Sequence, residues 1–95
     1  MANPTFTSGT TSVADTATLI CTLSAATTDG ALITNTGSVT VYLGGPSVTS
    51  SGATAGYPLA ENATLTLGST GGNPHDLYGI TASSTAGVAF IFPSS

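Results

Sequence analysis

Apolar and polar residues alternate along most of this chain, in short runs that stop at Gly, Ser, Asn or Pro. Val39, Val41 and Leu43 fall on one side of an extended segment, with Ser38, Thr40 and Tyr42 on the other. That period of two marks a half-buried strand. Ala31 to Thr34 precedes it, and Asn35-Thr36-Gly37-Ser38 lies between the two. Asn bonds its own backbone readily and Gly accepts a positive φ, so the sequence predicts a β-hairpin here, with Gly37 in that conformation.

The same reading extends through the chain. Ala17 to Leu23 is predicted as a strand with Leu19, Cys21 and Leu23 inward and Thr18, Ile20 and Thr22 outward; the outward Ile20 implies a second covered surface. Tyr57-Pro58-Leu59 is a short apolar return. In Ala63 to Leu67 the inward residues are Ala63, Leu65 and Leu67, with Thr64 and Thr66 outward. Asp76 to Ala82 carries Leu77, Tyr78 and Ile80. Gly87 to Phe92 places Val88, Phe90 and Phe92 on one side and Ala89 and Ile91 on the other, and Pro93 is expected to end it. Loops are expected over Ser24 to Gly30, Ser47 to Gly56 and Gly68 to Pro74, the second held by at most one brief pairing at Val48. The expected fold is all-β, a small antiparallel β-sandwich or β-barrel of seven to eight short strands, jelly-roll or Ig-like.

At 95 residues the chain is one domain, expected to span residues 13–95, with residues 1–12 either a first edge strand or an arm that docks on a neighbouring subunit. One internal echo stands out. Val13-Ala14-Asp15-Thr16-Ala17-Thr18-Leu19 resembles Leu59-Ala60-Glu61-Asn62-Ala63-Thr64-Leu65, which reads either as two similar half-sheets facing each other or as shared strand vocabulary.

Composition narrows the function classes. Lys and Arg are absent, Asp plus Glu number 4, and the formal net charge is −4. Without cations the electrostatic attraction behind most nucleic-acid binding is missing, and anionic membranes are disfavoured for the same reason. Disorder accompanies low hydrophobicity and high charge, whereas this chain is 40% hydrophobic and 4% charged, so it should fold. The N-terminal stretch lacks the basic start and apolar centre of a secretory signal, so synthesis in a cytoplasm without export is expected.

Candidate chemistry is sparse. Cys21 is the single cysteine and sits on a predicted strand, where it reads as a small buried hydrophobe. His75-Asp76 is the one pair that invites a catalytic reading, but no G-x-S-x-G elbow accompanies it, and Asn73-Pro74-His75-Asp76 reads more simply as a loop leading into a strand. The acids Asp15, Asp29, Glu61 and Asp76 are dispersed, without the spacing of a calcium loop. No enzyme, metal or cofactor is expected. Tyr42 and Tyr57 belong either to an interface or to a sheet face covered by the long loop. With Phe6 and His75 they make up the candidate interface residues.

The segments Thr34-Asn35-Thr36-Gly37-Ser38-Val39-Thr40-Val41-Tyr42-Leu43-Gly44-Gly45, Gly56-Tyr57-Pro58-Leu59 and Leu77-Tyr78-Gly79-Ile80 resemble a group of small β-rich proteins encoded among the structural genes of tailed bacteriophages. The matching order spans a little over half of the chain and leaves out the N-terminal third. The resemblance implies a virion component on the capsid exterior, made in the host cytoplasm: a decoration subunit that binds the major capsid protein. A homotrimer is expected, because a trimer on local threefold positions would bury strand edges that otherwise invite aggregation. The alternative it implies is a tail or head-fibre module that contacts a host glycan or receptor. It carries over no catalytic or ligand residue.

Overall fold

The computed structural model describes residues 5–23, 31–67 and 75–94, and they form eight strands: β1 (Thr5–Val13), β2 (Thr18–Leu23), β3 (Ala31–Asn35), β4 (Val41–Gly44), β5 (Tyr57–Leu59), β6 (Thr64–Leu67), β7 (His75–Ile80) and β8 (Ala86–Ser94). They pair antiparallel in two four-stranded sheets, β1-β8-β3-β6 (sheet A) and β2-β7-β4-β5 (sheet B). β1 pairs with β8, β2 with β7, β3 with β6 and β4 with β5, as though one long hairpin had been rolled up. The β3–β8 and β4–β7 pairings then close the roll. This is the jelly-roll form of the β-sandwich.

The registers put all four short connections at one end. Val13 lies opposite Ala86, Asn35 opposite Val88 and Thr34 opposite Thr64, so the corners β1–β2, β3–β4, β5–β6 and β7–β8 are neighbours there. Leu23, Ala31, Gly44, Tyr57, Leu67 and His75 end or begin their strands at the other end, where the loop over 45–56 also lies. The loops expected at 24–30 and 68–74 lie outside the described residues, as does Asp29.

The expected hairpin between Ala31 and Leu43 does not form. β3 belongs to sheet A and β4 to sheet B, and the five residues between them cross from one layer to the other. The reason is Asn35, whose side chain points inward and is fully buried. Its Nδ2 donates to the carbonyls of Val39 at 2.7 Å and Leu59 at 2.9 Å, while Oδ1 accepts from the Gly37 N–H at 2.9 Å. Its own N–H donates to Ala63 O and its carbonyl accepts from Asn62 N–H. One amide thus satisfies backbone groups at two corners that strand pairing cannot reach. Gly37 does not have a positive φ; instead, a Cβ there would collide with Ala86 at the start of β8. Close approach requires that glycine, not turn geometry.

The core is the set of inward residues from both sheets. Val13, Ile33, Val88 and Phe92 come from sheet A; Ile20, Cys21, Leu23, Val41, Leu43 and Leu59 come from sheet B. Alternation holds in β4, β6 and β8 with the phase expected, and β3 alternates as well; in β2, Cys21 and Leu23 are inward as expected, but Leu19 and Ile20 are exchanged. Leu19 is exposed and Ile20 buried, because the register with β7 slips between Leu19 and Cys21. This β-bulge leaves Ile20 unopposed and turns both Ile20 and Cys21 into the core. Gly79 makes room, since a Cβ there would lie 2.8 Å from Ile20 Cδ1 and 3.1 Å from Val41 Cγ1. Pro93 does not end β8, which runs to Ser94 with Pro93 in register with Phe6.

Both halves of the internal echo are sheet-switching corners, one crossing from A to B and the other from B to A. In each, an alanine carbonyl is taken by a facing corner: Ala14 O by Thr81 N–H at 2.8 Å, and Ala63 O by Asn35 N–H at 3.0 Å. Asn35 and Thr81 are the two buried polar side chains among the described residues, and the Thr81 hydroxyl donates to Ser84 O.

Two substitutions test this account. Asn35→Leu keeps the branched shape but leaves buried carbonyls without donors, which should cost on the order of 3 kcal/mol and lower Tm by more than about 10 °C in a melting experiment. Gly79→Val should cost about 1–3 kcal/mol by overpacking Ile20, read from denaturant unfolding, with partial recovery in Ile20→Ala/Gly79→Val.

Candidate interaction surfaces

Outward residues follow from the same registers. On sheet B, Leu19 lies opposite Tyr78 and Tyr78 opposite Gly44; Ile80 lies opposite Tyr42 and Tyr42 opposite Pro58. The two rows make a band of Leu19, Tyr78, Ile80, Tyr42 and Pro58 across the solvent side of the sheet, each residue half-buried or exposed. Cross-strand neighbours of this kind touch directly, and tyrosine joins a wide apolar ring to a polar tip. The long loop begins at Gly45, where the strand stops, and Val48 is buried against Gly44 and Gly56, apart from the core cluster and on the same side of β4 as Tyr42.

The four candidate interface residues separate. Tyr42 is part of the sheet B band. Tyr57 is 61% exposed, but its place opposite Leu43 gives it the inward phase of β5, and it borders an open groove at the long-loop end. His75 borders the same groove, about 710 Å³ in volume and lined chiefly by Leu23, Leu43, Leu65 and Leu67. Phe6 is 70% exposed on β1, in the other sheet. Tyr78 and Ile80 escaped selection because alternation in β7 shows two phases without saying which faces water.

Sheet A has its own outer face. Leu32 and Ile91 are cross-strand neighbours and both are exposed, flanked by Ser8 and Thr66. Thr34 and Thr64 share a hydroxyl hydrogen bond of 2.8 Å in the next row. No Asp or Glu lies in the described strands of this sheet.

The loop over 45–56 is more ordered than its composition implies. Thr49 N–H donates to Thr54 O and Gly56 N–H to Thr49 O, while the Thr49 hydroxyl bonds Ser51 O and the Thr54 hydroxyl. The brief pairing falls at Thr49 and Ala55, not at Val48, which serves as the loop's buried anchor. Gly52 takes a positive φ of 83° at the tip.

Titratable groups are few. The Asp76 carboxylate accepts from the Thr22 hydroxyl at 2.7 Å across β2 and β7. Among the described residues no three His, Cys, Asp or Glu side chains gather to hold a metal ion. Burial removes Cys21 from water and pushes its thiol from 9.0 up to about 11, which suppresses the thiolate that nucleophilic chemistry needs. What this arrangement offers is contact area: a tyrosine band, an apolar groove and an uncharged second face on a jelly-roll sandwich. No family model, curated protein or solved structure matches the chain.

The raised thiol pKa makes stability depend on pH with a definite sign. Between about 9 and 11 the unfolded chain loses the Cys21 proton while the folded chain keeps it, so the stabilisation present below pH 9 declines as pH rises to 11. Unfolding curves of the wild type against Cys21→Ala across this window should show the extra alkaline loss in the wild type alone. Native Cys21 should also react with iodoacetamide far more slowly than the denatured chain at pH 8.

Proposed function

We propose that this chain is a non-enzymatic structural protein of a tailed bacteriophage, a decoration subunit that binds the major capsid protein on the outer surface of the head and stabilises it as a homo-oligomer. The observation that carries the reading is the outer face of sheet B, where Tyr42, Tyr78, Ile80, Pro58 and Leu19 form one continuous band on a chain without a single Lys or Arg. Tyrosine-rich, charge-poor patches suit the centre of a protein interface. Several weak contacts of this kind become strong when many copies engage one lattice. Jelly rolls recur in viral capsid and lectin domains; a fold hosts many functions, so this is analogy, and the reading leans on the surface together with the resemblance of the Thr34 to Gly45 segment.

The second reading is a tail or head-fibre module that contacts a host glycan or receptor. What favours it is the flat ring area of Tyr42 and Tyr78 on one face, together with the ordered loop over 45–56 beside the apolar groove.

Density for this chain in intact particles separates the two. A lattice of copies over the head is the expected result, a few copies at the tail favours the second reading, and absence from particles rejects both. Tyr42→Ser/Tyr78→Ser should melt like the wild type yet bind undecorated heads at least about tenfold more weakly.

A further inference from the structure

The outer face of sheet B carries a carboxylate next to its tyrosines. β7 keeps one phase along its length, so Asp76 projects on the same side as Tyr78 and Ile80, two residues or about 7 Å along the strand from Tyr78. Asp76 and the facing Thr22 are both exposed, and the Thr22 hydroxyl donates to Asp76 Oδ1 at 2.7 Å. That bond holds the carboxylate in place while taking one of its roughly four acceptor positions. Across from Tyr78 on β4 stands Gly44, and Val48 of the long loop fills the room a side chain there would need, since a Cβ on Gly44 would lie 2.9 Å from Val48 Cγ2. The face thus has an aromatic floor at Tyr78 and Tyr42, a wall at Val48 and a held negative charge toward its loop end.

We infer that this face receives an arginine of the partner protein, its guanidinium paired with the Asp76 carboxylate and laid against the Tyr78 ring. The inference rests on the reading of the sheet B band as the surface a partner protein covers, and it names the chemistry that partner must present. A guanidinium is planar: it can meet a carboxylate with two parallel N–H bonds and stack on an aromatic ring at the same time, which an ammonium cannot do.

Charge complementarity selects this occupant. Any protein seated on Tyr78 also takes the neighbouring Asp76 out of water, and a covered carboxylate without a cation is strongly destabilising. This chain has no Lys or Arg to compensate, so the cation must come from the other side of the interface, and a second copy cannot supply it. Nucleic acid and anionic membranes carry the same sign as Asp76. A neutral glycan would use Asp76 only as a hydrogen-bond acceptor and would leave its charge unpaired.

The test titrates the full isotope-labelled chain, at fixed ionic strength, with three capped tripeptides that carry arginine, lysine or citrulline between two glycines, and follows the backbone amide shifts by NMR. Arginine should move the amides of Thr22, Asp76 and Tyr78, with an initial slope at least about threefold that given by lysine, because only the planar cation pairs and stacks together. Asp76→Asn is an exposed change that keeps an oxygen for the Thr22 hydroxyl; it should melt like the wild type and lower the arginine response at least about threefold. Shifts spread evenly over the surface, equal slopes for arginine and lysine, or a response that survives in Asp76→Asn overturns the inference. So does a citrulline response as large as that of arginine, which would mark a face for neutral ligands such as a glycan. Undecorated heads supply the second arm: Asp76→Asn should bind them at least about tenfold more weakly than the wild type, a difference that shrinks as salt is added. Heads that reject Tyr42→Ser/Tyr78→Ser yet bind Asp76→Asn as tightly as the wild type overturn the arginine and leave the decoration reading standing. A wild type that binds no heads overturns the decoration reading, and the peptide titration then decides the arginine by itself.

Discussion

The structure depends on how one buried amide is satisfied. Asn35 ends β3 with its side chain inside the sandwich, where an unpaired amide would be costly, and it finds its partners in the turn that follows and in the strand end of the opposite sheet. Because Val39 and Leu59 both give their carbonyls to Nδ2, the chain after β3 must cross to sheet B, and the end of β5 must lie beside that crossing. The burial of this single side chain is therefore bound up with the choice between a flat meander and a roll.

The second corner repeats the solution with less. Thr81 is buried where β7 passes to β8, its N–H held by Ala14 O and its hydroxyl by Ser84 O. With all four crossings at one end, main-chain hydrogen bonds tie the corners in pairs, and the long connections and the apolar groove are left at the other end.

Absence of cations shapes the surface as much as the core shapes the fold. Solubility comes from hydroxyls, and the outer threonines bond one another, as Thr34 and Thr64 do, instead of making ion pairs. Such a surface has little to repel a neighbour electrostatically, so the safeguards against unwanted pairing are geometric: Pro58, the bulge in β2, and the shortness of β5 and β6.

Much of this was legible along the chain. Period-two alternation located strands in the regions of β2 to β8, gave the inward residues of β4, β6 and β8, placed Cys21 in the core and predicted an all-β sandwich or barrel, because a strand's two faces are set by neighbours in sequence. What it left open is which strands pair. Asn35 and Gly37 looked like turn residues, and only the arrival of β5 and β8 beside them showed that one is a buried bond-maker and the other a point of close approach. Leu19 and Ile20 were assigned to the wrong faces because a bulge preserves composition while it reverses the phase on one side of it, and Gly79, some sixty residues away, is what lets Ile20 turn inward. Tyr78 and Tyr42 share a face for the same reason: β4 and β7 are brought together by the roll. Local chemistry determined the strands; burial and main-chain bonding between distant segments decided the partners, and with them the surfaces.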